Sequence, residues 1–192
     1  AKQQAAELAE IRKQNQNVDK ITLKSIPYFH DATTKNRHEA AIFFAEGRSA
    51  ATPLLGARNP VTMGLFPLKG RPLNVCAYSL AKIRANTEFE HIRNIVGLKY
   101  GEKADPKKLN FGKIVIASDS DEYGHSIAGL LINLFYRLWP ELIEAGMIYR
   151  LVTPVVVVNG ANKLNKEFFS LEGFGKWRNE NQDKKFTYRF LK

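Results

Sequence analysis

The sequence contains a single cysteine in 192 residues and no long apolar run. One thiol cannot form an internal disulfide, so Cys76 fits a protein of a reducing compartment. A membrane-spanning helix needs about 18 or more consecutive apolar residues, and the sequence offers no such stretch and no signal peptide. These absences predict a soluble, intracellular protein of the cytoplasm and exclude a membrane function.

Acidic side chains are missing from residues 47–87, although this stretch carries six basic ones. Over the whole chain, 29 Lys and Arg stand against 19 Asp and Glu, for a formal net charge of +10. A surface of one sign attracts phosphate, so the composition favours a nucleic-acid partner. The alternative is a basic surface that only keeps the protein soluble. Within the stretch, Gly70 separates Lys69 from Arg71, which would let a phosphate approach the backbone closely.

Carboxylates follow two apolar runs that are typical of buried strands. Residues 112–118 are mostly apolar and are followed by Asp119 and Asp121, while residues 40–45 are followed by Glu46. The carboxyl ends of parallel strands meet at one edge of a sheet, so these three acids are expected to converge if the strands are neighbours. Adjacent carboxylates repel each other unless a cation neutralises them, and oxygen ligands of this kind suit magnesium or manganese.

Each acid also has a simpler interpretation. Aspartate is a favoured N-cap, and a helix is predicted directly after Asp121, so the Asp-X-Asp spacing is equally consistent with a capped turn. Glu46 alone would be read as an exposed acid before a glycine turn. Only the combination of the two strand ends favours a metal site.

Four ordered segments resemble the toprim domain of type IIA DNA topoisomerases. Residues 46–50 read Glu-Gly-Arg-Ser-Ala, residues 67–71 Pro-Leu-Lys-Gly-Arg, residues 95–101 Ile-Val-Gly-Leu-Lys-Tyr-Gly and residues 119–124 Asp-Ser-Asp-Glu-Tyr-Gly. They are similar, in the same order, to the family's usual signatures. The resemblance covers nearly the whole chain, and the segment that begins at Trp139 is most similar to the large subunit of T-even-type phage topoisomerases.

The resemblance implies a fold, a cofactor and a reaction. It implies that Glu46, Asp119 and Asp121 hold Mg²⁺, with Mn²⁺ as an alternative, and act as the catalytic carboxylates. The metal would support cleavage and rejoining of double-stranded DNA by a tyrosine on a breakage-reunion domain or subunit, in an ATP-dependent, homodimeric parent enzyme with an ATPase domain. Lys69, Arg71 and Arg48 are assigned to DNA binding.

Two residues depart from the family's pattern. Tyr123 replaces the third acid of the Asp-X-Asp-X-Asp series, and Arg48 replaces the Asp that usually follows Glu-Gly. Arg48 would either take over part of the metal's neutralising role beside Glu46 or contact a phosphate. Two further interpretations therefore stay open: a degenerate toprim module that only binds DNA or docks, and a toprim protein of the primase or nuclease type.

The expected fold is α/β, a toprim-like parallel sheet flanked by helices with N- and C-terminal extensions. Residues 1–37 are expected to form an N-terminal helix and a polar connector, residues 38–160 the toprim domain, and residues 161–192 a C-terminal extension cut off before the rest of the parent chain. Three- and four-residue spacing of apolar residues predicts a long helix after Gly124. Helices are also predicted at 49–55, 79–85, 88–96 and 171–179, and strands at 151–158 and 186–191, with a short strand around 168–169.

Overall fold

A four-stranded parallel sheet forms the centre of the molecule. The computed structural model describes residues 22–160 and 165–191. The strands are β1 (Ala41–Ala45), β2 (Met63–Pro67), β3 (Lys113–Ala117) and β4 (Ile148–Leu151), in the order β2-β1-β3-β4. The sequences of β1, β2 and β3 are nearly continuous apolar runs, as expected for parallel strands that are covered on both faces, whereas β4 contains Arg150 and has Tyr149 and Leu151 exposed.

Six α-helices occur among the described residues. Their bounds are α1 (Arg48–Ala57), α2 (Leu80–Arg84), α3 (Thr87–Val96), α4 (Glu122–Leu138), α5 (Glu141–Glu144) and α6 (Leu171–Glu180). The helices predicted within the described residues are all present, and α2 begins after Ser79, whose side chain accepts a hydrogen bond from the Lys82 N–H. The long helix α4 buries the apolar stripe that its spacing predicted, including Ile127, Leu131 and Phe135.

The core lies between the sheet and its helices. Ile42 and Phe44 of β1 and Ile114 and Ile116 of β3 are fully buried in one cluster. No helix in the described parts of the chain is long and apolar enough to cross a membrane. The parallel α/β architecture predicted from the sequence is confirmed.

A second, antiparallel sheet contains β5 (Val156–Gly160), β6 (Asn165–Phe168) and β7 (Phe186–Phe190), in the order β6-β5-β7. The single strand predicted over 151–158 is therefore wrong: the chain leaves the parallel sheet after Leu151 and enters the second sheet at Val156. Pro154 lies in this link, where a residue without an N–H does not interrupt a ladder. The second sheet spans both sides of the expected boundary at residue 160.

The connector that precedes β1 contains two short 3₁₀ helices, Leu23–Ser25 and Arg37–Glu39, and is held against the sheet. His30 forms an isolated bridge with Leu65 of β2. Arg37 forms an ion pair with Asp31 at 2.8 Å and donates from Nε to the carbonyl of Asn110 at 2.7 Å. The helix predicted over residues 1–16 lies outside the described residues. The connector thus reaches the edge of the sheet at β2.

Candidate metal and phosphate site

Glu46 and Asp119 meet at the ends of neighbouring strands. The strands β1 and β3 are parallel and paired in register, with Ala45 opposite Ala117. Glu46 follows β1 directly, and its Oε2 accepts a hydrogen bond from the Asp119 N–H at 3.2 Å. The parallel register therefore brings together two of the three predicted residues, Glu46 and Asp119, through the Glu46 carboxylate and the Asp119 backbone.

Asp121 is the N-cap of α4. Its Oδ1 accepts a hydrogen bond from the Gly124 N–H at 2.7 Å, and its carbonyl oxygen lies 2.5 Å from His125 Nδ1. The capped turn that the sequence left open is thus present. One carboxylate oxygen of Asp121 lies outside the capping bond, so the cap does not use the whole donor capacity of this side chain.

The donor set fits a hard divalent cation by its chemistry. The carboxylates that follow β1 and β3 supply anionic oxygens, which magnesium and manganese prefer. Within residues 22–160 and 165–191, however, no three His, Cys, Asp or Glu side chains lie close enough to one another to hold a metal ion together. Glu46 and Asp119 are adjacent, while Asp121 is engaged in its cap.

A cavity of about 910 Å³ opens beside this pair. Glu46 and Asp119 line it, together with Arg48, Lys69 and Tyr123. Of the residues predicted from the sequence, Arg71 and Asp121 are outside the lining. The cavity is large enough for a small ligand or a segment of a polymer, and its rim carries both signs of charge.

The basic turn after β2 forms one wall of the cavity. The backbone N–H of Lys69 donates to Glu88 Oε1 at 2.5 Å, and Gly70 adopts φ +96°, which side-chain-bearing residues rarely do. Burial raises the pKa of Glu88. The hydrogen bond from the Lys69 N–H and the positive charge of Lys69 act in the opposite direction and lower it. A Cβ added at Gly70 would lie 3.6 Å from the Tyr123 hydroxyl, so the turn approaches the start of α4.

His91 forms part of the cavity wall and was not found from the sequence. It is only 9% exposed, and its ring meets the Phe66 ring edge to face at 6.0 Å. Burial lowers the pKa of His91, and the charge of Lys69 lowers it further, while Glu90 acts in the opposite direction. A histidine on the buried face of a helix is normally a core residue, so its spacing in α3 gave no signal of the cavity.

Arg48 contacts an aromatic ring and not a carboxylate. Its guanidinium carbon lies 5.1 Å from the centroid of the Tyr28 ring, and its Nη1 donates to the Tyr28 hydroxyl at 3.2 Å. Among the described residues, no ion pair joins Arg48 to Glu46 or Asp119. Tyr28 also was not found from the sequence, because nothing in the connector's composition indicates this contact.

Behind the acidic turn, two polar groups are buried without a hydrogen-bond partner in the described structure. They are Ser118 Oγ, one residue before Asp119, and Nε of Arg150 on β4. Nη2 of Arg150 reaches the carbonyl oxygen of Asp119 at 3.5 Å. Arg150 thus places a cation behind the Asp119 turn, which the sequence did not indicate because β4 was not predicted as a separate strand.

The fold and the site together define a parallel α/β domain with acidic residues at the ends of adjacent strands and a basic turn beside them. The Toprim domain family matches residues 41–153. The chain belongs to this family.

Relatives of the chain are much longer proteins. It is similar to DNA topoisomerase 2 of Bombyx mori, at 37% identity over 84% of this chain and 11% of the relative, and to DNA topoisomerase 2-alpha of Rattus norvegicus, at 36% identity over 88% and 12%. It also resembles the solved DNA-binding, cleavage and re-ligation domain of Plasmodium falciparum topoisomerase II. That likeness has a TM-score of 0.79 and 31% identity, covering 91% of this chain and 25% of the other. The chain therefore spans about a tenth of the length of these curated relatives, and its finer placement near phage enzymes stays a prediction.

Proposed function

We propose that this chain is the metal-binding toprim module of an ATP-dependent type II DNA topoisomerase, which cleaves and rejoins double-stranded DNA. The observation that carries the proposal is the adjacency of Glu46 and Asp119 at neighbouring strand ends, on the rim of a cavity that Arg48 and Lys69 also line. The proteins named DNA topoisomerase 2 among its relatives support the choice of reaction.

The proposed cofactor is Mg²⁺, with Mn²⁺ as an alternative, held by Glu46, Asp119 and Asp121. When bound, such an ion neutralises the charge that develops on the phosphodiester and on the leaving oxygen during strand cleavage. Glu46 is the proposed proton donor or acceptor at the leaving hydroxyl, because it lines the cavity and can exchange a proton from a carboxyl oxygen. The acidic turn holds Asp119 against Glu46 and thereby fixes the orientation of the pair.

The proposed DNA contacts are Lys69, Arg71 and Arg48. Lys69 and Arg48 line the same cavity as the carboxylates, so a phosphate beside the metal would have cations within reach. Arg71, outside the lining, is proposed to contact the DNA backbone further along the strand. These contacts position the duplex and carry no sequence information.

The remaining machinery is proposed to lie elsewhere in a longer, homodimeric parent protein of the cytoplasm. A breakage-reunion domain or subunit supplies the tyrosine that attacks the phosphodiester, and an ATPase domain drives strand passage. By itself, this chain is expected to bind metal and DNA and to cut nothing.

A second candidate function is a degenerate toprim module that binds DNA or docks without a metal. Arg48 and Tyr123 favour it, because they occupy positions where the family has acids. A toprim protein of the primase or nuclease type is the third possibility, and the segments at 67–71 and 95–101 favour a topoisomerase over it.

Metal binding separates the first two candidates. Calorimetric titration with Mn²⁺ and Mg²⁺, in the presence of a short duplex, compares the unmodified chain with Glu46→Gln, Asp119→Asn and the control Glu144→Gln on α5. We expect binding that disappears in the first two variants and persists in the control. Equal binding in all four proteins, or none in any, would contradict the metal-dependent function and favour the degenerate module.

A further inference from the structure

Tyr28 has an unusual backbone conformation at the rim of the cavity. It is the one non-glycine residue with a positive φ in the described parts of the chain, at +62°, and its side chain is 58% exposed. Residues with a side chain rarely adopt this left-handed region, and a large aromatic residue gains nothing from it locally. The conformation therefore calls for a tertiary explanation.

The tertiary contact of Tyr28 is Arg48. The ring and hydroxyl of Tyr28 both engage the guanidinium, which lies 5.1 Å from the ring centroid. Arg48 is the first residue of α1, and Glu46 is only two residues before it. An arginine so close to a carboxylate would ordinarily form an ion pair with it, and neither charged group would then be available to bind another ligand.

The aromatic contact leaves these charges free. A ring face attracts a guanidinium but does not neutralise it, so Arg48 keeps its full positive charge beside the cavity. Glu46 likewise keeps a carboxylate oxygen for a metal. Of the two roles that the sequence left open for Arg48, this arrangement favours contact with a phosphate.

We propose that Tyr28 is a positioning residue that holds the Arg48 guanidinium at the cavity rim, where it contacts a phosphate of the nucleic-acid backbone, and away from Glu46. The inference rests on the proposed function, since it requires that DNA enters this cavity. It adds a residue from the connector, outside the matched family segment, to the phosphate-binding surface.

The test is a double-mutant cycle on duplex binding. Tyr28→Gly and Tyr28→Asn remove the ring but keep residues that tolerate the left-handed backbone, so the connector retains its path. Each is combined with Arg48→Gln. Lys69→Gln reports on the proposed function independently, and Lys107→Gln, an exposed cation outside the cavity, is the control. Binding of one short duplex is measured by fluorescence anisotropy at several salt concentrations, with circular dichroism to verify folding.

We expect Arg48→Gln to reduce the slope of log K against log salt by about 1, the value for one phosphate contact. Tyr28→Gly and Tyr28→Asn should weaken binding about two- to fivefold, as expected for an exposed cation–π contact, and should have no further effect when Arg48 is already Gln. Tyr28→Phe, which keeps the ring, should retain the slope of the unmodified chain.

The two proposals fail in different ways. If Arg48→Gln weakens binding but the Tyr28 variants do not, or if their effects simply add, Tyr28 does not act through Arg48 and this inference is overturned while the DNA-binding function stands. If neither Arg48→Gln nor Lys69→Gln differs from the Lys107→Gln control, DNA does not use this cavity, and the proposed function is overturned together with the inference.

Discussion

Gly124 is the position where the structure makes the sharpest stability prediction. It lies in the first turn of α4, and a Cβ built there would lie 2.2 Å from the carbonyl oxygen of Asp119 and 2.8 Å from its nitrogen. Non-bonded heavy atoms meet favourably at roughly 3.5 Å, so the turn would have to move by about 1 Å. Backbone atoms cannot rotate away as a side chain can. We therefore expect Gly124→Ala to lower the free energy of unfolding by about 1–3 kcal/mol, the usual cost of overpacking.

The matched control is Gly129 in the same helix. A Cβ built there meets no atom within 4 Å, so Gly129→Ala adds helix propensity without a clash. It should raise the free energy of unfolding by about 0.5–1 kcal/mol. Two identical substitutions, five positions apart on one helix, are thus expected to change stability in opposite directions.

Urea unfolding followed by circular dichroism measures both changes, and manganese titration measures the effect on the site. A displacement of about 1 Å is enough to disable a preorganised site, so Gly124→Ala should also weaken metal binding, while Gly129→Ala should leave it unchanged. If Gly124→Ala is as stable as the unmodified chain, the close approach of α4 to the Asp119 turn does not exist in solution, and the reasoning is refuted.

Substitutions at Asp121 and Tyr100 are also expected to change the stability of the protein measurably. Asp121→Ala should lower the free energy of unfolding by about 1 kcal/mol through loss of the N-cap. Asp121→Asn keeps a capping oxygen and should be nearly as stable as the unmodified chain. Equal losses of stability in urea unfolding would contradict the capping role. Burial, with the neighbouring Glu90 carboxylate, raises the pKa of Tyr100 far above its value in the unfolded chain. An unfolded tyrosine ionises at about pH 10. The stabilising effect of neutral Tyr100 is therefore complete below about pH 10 and is lost as the pH rises toward the folded-state pKa. Tyr100→Phe should show a smaller loss of stability over that range, and an unchanged pH profile would count against the buried phenol.

The sequence predicted the parallel α/β fold and the positions of Glu46 and Asp119 at strand ends because both depend on local patterns. The stripe of Ile127, Leu131 and Phe135 has helical spacing, and no other arrangement would bury it. The acids Glu46 and Asp119 end apolar runs, and in a parallel sheet the ends of neighbouring strands lie together whatever the loops do. The adjacency of these two acids therefore required only the correct strand order.

The remaining features depend on contacts between distant residues. The chain leaves one sheet and enters another between Leu151 and Val156. In the sequence, Pro154 indicates only an edge or a bulge at this place and not a change of sheet. Arg48 was recognised as an unusual cation, but its direction is set by Tyr28, which is twenty residues away and has a positive φ. Local propensity argues against that backbone conformation, so it could not have been predicted from the pattern of residues.

The turn from Asp119 to Gly124 couples stability to the site. The Gly124 N–H holds one oxygen of Asp121, and the missing Cβ of Gly124 gives the Asp119 carbonyl its place against α4. Capping and metal binding are compatible because a carboxylate has more acceptor positions than the cap occupies. The hydrogen bond that starts the helix also restrains the side chain proposed as the third ligand, so less conformational entropy is lost when a cation binds. Glycine is thus required at position 124 both for the packing of the Asp119 turn against α4 and for the proposed metal site. The substitution Gly124→Ala is expected to disturb both.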